Sequence, residues 1–176
     1  MTRRSFLKSF AWFSVALSCR TIMPRNHPNI ILIVVDDLGW KDLGCYGSSF
    51  YETENIDRLA VEGMRFTNAY SSCPVCSPTR AALLTGKSPA KLQFTGHITA
   101  TGRHRYPESG RIIPPQDRMY IPLEEVTIAE ALKPAGYATI SIGKWHVGNE
   151  EKYYPTHQGF DQNIAGYMHG SPPGYF

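Results

Sequence analysis

Asn29-Ile30-Ile31-Leu32-Ile33-Val34-Val35-Asp36-Asp37-Leu38-Gly39 is the stretch that sets the fold class. Six consecutive aliphatic residues without polar alternation are the pattern of a strand covered on both faces, as in parallel sheets packed between helices. The run stops at two adjacent carboxylates. Asp36 and Asp37 are therefore expected at the carboxyl end of a strand, the edge of an open α/β sheet beyond which ligands bind.

The neighbouring patterns fit that reading. Residues 55–62 place Ile56, Leu59 and Ala60 on one helical face, and Gly63 suits the position just past a helix end. Residues 64–70 are expected to form a second strand. Residues 78–84 predict a short helix closed by Thr85-Gly86, and Thr127-Ile128-Ala129-Glu130 is a capping box opening a helix that Pro134 and Gly136 end. Residues 137–142 alternate Ala138, Ile140 and Ile142 with Tyr137, Thr139 and Ser141, a third strand. Strands alternating with helices predict an α/β fold with a largely parallel central sheet flanked by helices. A loop-like insertion rich in Arg, His and Pro spans 91–123, and Ser171-Pro172-Pro173-Gly174-Tyr175-Phe176 carries no helix or strand signal.

The 176 residues amount to one domain, and 42% hydrophobic content is enough for a sizeable core. With 19% charged residues the chain is unlike a disordered one. The formal charge of +3 belongs to the first nineteen residues, which hold Arg3, Arg4 and Lys8 and no acid; the remainder balances 15 basic against 15 acidic side chains. A nucleic-acid-binding body is thereby excluded as a first reading.

The basic opening Thr2-Arg3-Arg4-Ser5-Phe6-Leu7-Lys8 and the short uncharged stretch to Ser18 describe a secretory signal, too short to span a bilayer. It resembles the bacterial twin-arginine export signal, and Ala16-Leu17-Ser18-Cys19 resembles a lipoprotein cleavage site that would leave Cys19 acylated. The expected organisation is an export signal over 1–19, a polar tether over 20–28 and a catalytic portion over 29–176. The expected location is the bacterial periplasm or a membrane-attached lipoprotein, reached through the twin-arginine machinery. Export permits disulfides. Cys45, Cys73 and Cys76 are an odd number, however, so at least one thiol has another fate.

Cys73-Pro74-Val75-Cys76-Ser77-Pro78-Thr79-Arg80-Ala81-Ala82-Leu83-Leu84-Thr85-Gly86 is the segment richest in chemistry. Pro78 is tolerated only near a helix start, which puts Cys76 at the amino end of the helix. Unpaired amide N–H groups and the positive end of the helix dipole favour an anion there, and Arg80 lies one turn further on. Local physics leaves three readings open: an anion-processing site, a Cys73–Cys76 redox pair at a helix start, or structural thiols. Half a zinc site has no second ligand pair at suitable spacing.

Two motifs decide among them. Cys76-Ser77-Pro78-Thr79-Arg80 with Ala81-Ala82-Leu83-Leu84-Thr85-Gly86 resembles the sulfatase signature C-x-P-x-R in full. Gly136-Tyr137-Ala138-Thr139-Ile140-Ser141-Ile142-Gly143-Lys144-Trp145-His146 resembles the second signature of that family. Asp36-Asp37, Asn55-Ile56-Asp57-Arg58-Leu59 and Phe66-Thr67-Asn68-Ala69 resemble it at matching order, so the resemblance covers roughly 29–160 and points to the amino-terminal portion of a longer bacterial sulfatase.

The resemblance implies an alkaline-phosphatase-like sandwich and the hydrolysis of a sulfate ester to an alcohol or phenol plus sulfate. It implies that Cys76 is oxidised to formylglycine by a modifying enzyme that reads Pro78 and Arg80. One hydroxyl of the aldehyde hydrate would attack sulfur, and the other would expel sulfate by carbon–oxygen cleavage as the carbonyl re-forms. Asp36, Asp37 and the modified Cys76 would hold Ca²⁺, or Mg²⁺, in hard oxygen ligation. Arg80 would neutralise the hydrate, Lys144 would bind a sulfate oxygen, and His146 would act as acid or base at the hydrate. Lys144 and His146, two apart after an extended segment, can project to one side, with Trp145 towards the core. His97 and Arg103 are weaker candidates for facing substrate, and His104, His157, His169 and Ser171 weaker still. Cys45 and Cys73 are expected to be structural.

Sulfatases supply a second Asp/Asn pair for the metal, a His and a Lys at the leaving-group oxygen and a smaller subdomain after the second signature. This polypeptide alone is therefore expected to be inactive. The expected substrate is a sulfated small molecule or a sulfated glycan. The alternatives are a phosphonate or phosphate monoester hydrolase of the same superfamily, and a non-catalytic exported fragment that binds sulfated glycans.

Overall fold

The computed structural model describes residues 27–99, 111, 116–172 and 174. The export signal, Cys19, most of the tether, Arg103 and His104 lie outside them. The chain divides into two units after Asp37.

In the first unit the aliphatic run does not form the expected buried strand. Residues 30–35 join no ladder among the described residues, and Ile31 and Ile33 are 84% and 77% exposed. A strand of this composition is held by neighbours on both edges and both faces, and none of the described residues supplies them. Asp36 is half-buried. Asp37, exposed, turns the chain with φ 57°, a left-handed conformation that Asp tolerates better than most residues.

The second unit is built mainly of short elements. Helix α1 spans Glu54–Glu62 and α2 spans Cys76–Thr85. The single-turn α3 spans Pro89–Leu92 and α4 spans Ile128–Leu132. Strand β1, Ile140–Ile142, pairs in parallel with β2, Gln162–Ile164, in the register Ile140 to Gln162 and Ile142 to Ile164. The α/β class and parallel pairing agree with the sequence. Residues 64–70 form no strand, and the third expected strand is cut to its last three residues. Gly63 closes α1 with its N–H on the Leu59 carbonyl at 2.9 Å, but at φ −114° it is not the left-handed cap expected of it. Gly86 is such a cap, at φ 67°.

The capping box forms as read: the Thr127 hydroxyl accepts from the Glu130 amide, and the Glu130 carboxylate accepts from the Thr127 amide. Thr127 also donates its hydroxyl to the Gln158 carbonyl at 2.7 Å, tying α4 to the chain that leads into β2. Gln158, fully buried, donates from its side chain to the Ile121 carbonyl at 2.8 Å.

The core comprises Ala81 of α2 with Leu92, Phe94, Ile98, Ile121, Trp145 and Val147. Leu92, Phe94, Ile98 and Ile121 all belong to the 91–123 insertion, so the flanks of a segment that reads as a loop are core. Its apolar residues are too widely spaced for a helix or strand signal, and burial is set by tertiary packing alone. Trp145 donates its indole N–H to the Tyr153 carbonyl at 2.9 Å and meets Phe160 edge-on at 5.8 Å. Among the described residues no helix is long and apolar enough to cross a membrane.

Candidate active site

Helix α2 begins at Cys76, after Val75 in extended conformation with no side-chain cap. Pro78 is the third helical residue, where its missing N–H removes nothing from the ladder. The amides of Cys76 and Ser77 have no intrahelical acceptor, so the opening turn presents donors and the positive dipole end beside a half-buried free thiol. The loop ahead of it is tied down: Ser71 and Thr79 both donate their hydroxyls to the Cys73 carbonyl, at 2.6 and 2.7 Å.

Arg80 lies one turn beyond Cys76 and donates from Nη1 to the Lys144 carbonyl at 2.7 Å. That bond joins the two signature segments across 64 residues of sequence. A second link runs beside it. The Ile98 amide donates to Ser77 Oγ at 3.0 Å, and the Ile98 carbonyl accepts from His146 Nε2 at 2.7 Å.

His146 is 3% exposed and sits at φ 58°, its amide donating to the Tyr167 carbonyl at 3.1 Å. Beyond β1 the chain turns at Gly143 (φ 85°) and again at His146. The strand alternation expected to aim Lys144 and His146 thus stops at Ile142, and hydrogen bonds rather than a pleat orient the imidazole. Burial lowers the pKa of His146 to about 4; the positive charges of Lys144, His97 and Arg80 push the same way, while the Ile98 carbonyl opposes them. Gly170 lies against the ring: a Cβ there would come within 2.8 Å of Cε1 and 3.1 Å of Nδ1.

The structure therefore brings together Arg80, Lys144 and His146 around the helix that starts at Cys76. Asp36 and Asp37 belong to the other unit. Ser77, Ile98, Tyr167 and Gly170 were not foreseen as parts of the site. Ser77 occupies the free position of its motif, and the other three carry no sequence signal linking them to His146. Among the weaker candidates His97 is exposed, yet near enough for its charge to act on His146. His157 and His169 are exposed, the latter edge-on to Tyr167 at 5.3 Å, and Ser171 offers its carbonyl to the Tyr167 hydroxyl at 3.0 Å. Cys45 and Cys73 are half-buried free thiols, and no Cys73–Cys76 disulfide is present.

The sulfatase family profile matches residues 28–171. The chain belongs to the sulfatase family. It is 44% identical over 150 residues to N-acetylgalactosamine-6-sulfatase of Sus scrofa, and the match covers 85% of this chain and 26% of that protein. It is 44% identical over 149 residues to arylsulfatase A of Homo sapiens, covering 83% of this chain and 27% of the relative. The crystal structure of Ps i-CgsB superposes with a TM-score of 0.62 at 38% identity, over 79% of this chain and 28% of that one. This sulfatase sequence thus spans about a quarter of the length of the curated relatives it matches.

Sulfatases in general use a formylglycine and a divalent cation. In this sulfatase chain the half-buried Asp36 and the exposed Asp37 offer adjacent hard oxygens, which is the right donor chemistry for such an ion. Among the described residues no three His, Cys, Asp or Glu side chains cluster as a metal group. The pair therefore fits part of a coordination shell that needs six or more oxygens.

Proposed function

We propose that this chain carries the nucleophile-bearing portion of an exported bacterial sulfatase, which hydrolyses a sulfate ester to an alcohol or phenol and inorganic sulfate. The observation that carries the reading is the bond from Arg80 to the Lys144 carbonyl, which joins the C-x-P-x-R helix to the segment ending in His146. An α/β unit with parallel pairing is consistent with an alkaline-phosphatase-like sandwich for the complete protein.

Formylglycine at position 76 supplies, as its hydrate, one hydroxyl to attack sulfur and a second whose deprotonation releases sulfate. A divalent cation, Ca²⁺ by preference for oxygen-only ligation, would take oxygens from Asp36 and Asp37 and would supply positive charge. The chain's own side chains do the rest. Arg80, a permanent cation, neutralises negative charge as it develops at position 76. Lys144 binds a sulfate oxygen and holds the ester in line. His146, held neutral by burial, is available to take a proton from the hydrate.

A glycan substrate is favoured by two relatives. One is named for a sulfated amino sugar, and Ps i-CgsB has been solved in complex with k-i-k-neocarrahexaose. The leader over 1–19 supports export by the twin-arginine route to the periplasm. That route carries folded cargo, which suits a cysteine modified before secretion.

The test uses the complete gene product co-expressed with a formylglycine-generating enzyme. Aryl sulfate turnover far above aryl phosphate turnover, together with formylglycine in the Cys76 peptide by mass spectrometry, is expected. Activity with an unmodified Cys76 thiol, or preference for the phosphate, would overturn the reading.

A further inference from the structure

We propose that Ser77 is a positioning residue for His146: through the backbone of Ile98 it fixes the imidazole as the Nε2–H tautomer, so that Nδ1 is the atom that takes the proton at the site. The inference rests on the sulfatase reading above and adds to it a residue and an atom.

A backbone carbonyl can only accept. The 2.7 Å contact between His146 Nε2 and the Ile98 carbonyl therefore requires the hydrogen on Nε2, and in a neutral ring the lone pair then resides on Nδ1. Nδ1 is buried without a hydrogen-bond partner among the described residues. That is a costly state for a polar atom in a ring only 3% exposed, and it is what an acceptor reserved for a reacting proton looks like.

The tautomer is only as well defined as the carbonyl that selects it. Ile98 lies in the 91–123 insertion, outside any helix or strand, so neither of the two peptide planes that meet at its Cα is fixed by a ladder. The residue is anchored by the Ile98 side chain in the core (2% exposed) and by its amide on Ser77 Oγ at 3.0 Å, and the carbonyl that meets His146 leaves the same Cα through the next peptide. Ser77 is itself fully buried, the residue next to Cys76 on the first turn of α2. One serine thus ties the position of the nucleophile to the orientation of the base. Gly170, across the ring, leaves the imidazole room to keep that orientation. In the step this serves, a hydrate O–H bond breaks and an Nδ1–H bond forms. The electron pair stays on oxygen, and His146 becomes an imidazolium with hydrogen on both nitrogens.

The experiment uses the complete, formylglycine-loaded protein labelled with ¹⁵N-histidine. The wild type is expected to show His146 protonated at Nε2 and bare at Nδ1 near neutral pH. In Ser77→Ala the two tautomers should mix. Its kcat should fall roughly 10–100-fold, the range for losing a histidine's orienting partner, with KM within about twofold and a wild-type formylglycine content. Ser77→Thr, which keeps the hydroxyl, should restore both the spectrum and most of kcat. A wild-type His146 carrying its hydrogen on Nδ1, or a Ser77→Ala protein with unchanged spectrum and kcat, would overturn the proposal. If Ser77→Ala fails to fold, Ser77→Cys takes its place against Ser77→Thr, and an unchanged spectrum and kcat in Ser77→Cys would overturn the Ser77 role. Absence of sulfate-ester turnover in the wild type would sink the functional reading instead, and the ring spectra would separately decide the Ser77 clamp.

Discussion

The aliphatic run 30–35 and helix α2 are the two most legible stretches of the sequence, and they fare differently. Helix α2 starts and stops where its residues say it must, at Pro78's first turn and at Gly86. The run at 30–35 has a stronger apolar signal and joins no ladder among the described residues. Strand β1 stands between them: three residues of it pair, because residues 162–164 provide an edge. A helix closes its hydrogen bonds within itself, whereas a strand borrows all of its own from elsewhere. Apolar patterning therefore reports what a segment needs, and only the local elements can meet that need unaided.

The hardest blow to the α2 side of the contrast is chemical. In the complete protein Cys76→Ala is expected to abolish sulfate-ester turnover, by at least roughly 10³-fold as for loss of a nucleophile, while thermal stability stays near that of the wild type. Activity surviving this change would leave the helix an ordinary structural element.

The next largest effect sets the two regions directly against each other. Phe94→Ala, in the core beside α2, is expected to cost about 3–5 kcal/mol by denaturant unfolding. Ile33→Ala in the 176-residue chain should cost less than about 0.5 kcal/mol, because Ile33 is largely exposed. In the complete protein the same Ile33→Ala change should cost about 2–5 kcal/mol if the run gains its sheet neighbours there. Equal, small costs in both contexts would break the contrast.

Acid provides a milder test. The folded pKa of His146 is depressed to about 4 from an ordinary 6.5, so the folded state binds fewer protons than the unfolded one between those values. Its contribution is fully present above about pH 6.5 and is lost as pH falls towards 4. A His146→Gln variant should show a flatter stability profile over that window; identical slopes would place the imidazole in water. Lys144, His97 and Arg80 are the charges that face the ring. The smallest effect is expected at Thr127→Ala, which removes both the cap of α4 and its bond to Gln158, at about 1–2 kcal/mol by thermal melting.

Motif spacing carried most of the site's legibility. Cys76 and Arg80 share a helix face by arithmetic, and Lys144 and His146 are named by their own signature. The link between them was not readable, because Arg80 reaches a backbone carbonyl, and every residue has one. Ile98 likewise acts through its backbone N–H and carbonyl, so its side chain announces only burial. The α/β class and the capping box were readable because they rest on period and short-range pairing. The left-handed turn at His146 and the core role of the insertion were not, since both are imposed by packing from distant segments.

Pro78 is fully buried in the finished fold, and Ser77 beside it is sealed by the Ile98 amide. On the function proposed above, an enzyme that must grip this proline to remodel the neighbouring thiol could not reach it once the helix has docked. Maturation would then have to run ahead of collapse, on the nascent or newly released polypeptide, and a chain that folded first would stay locked in an unactivated form.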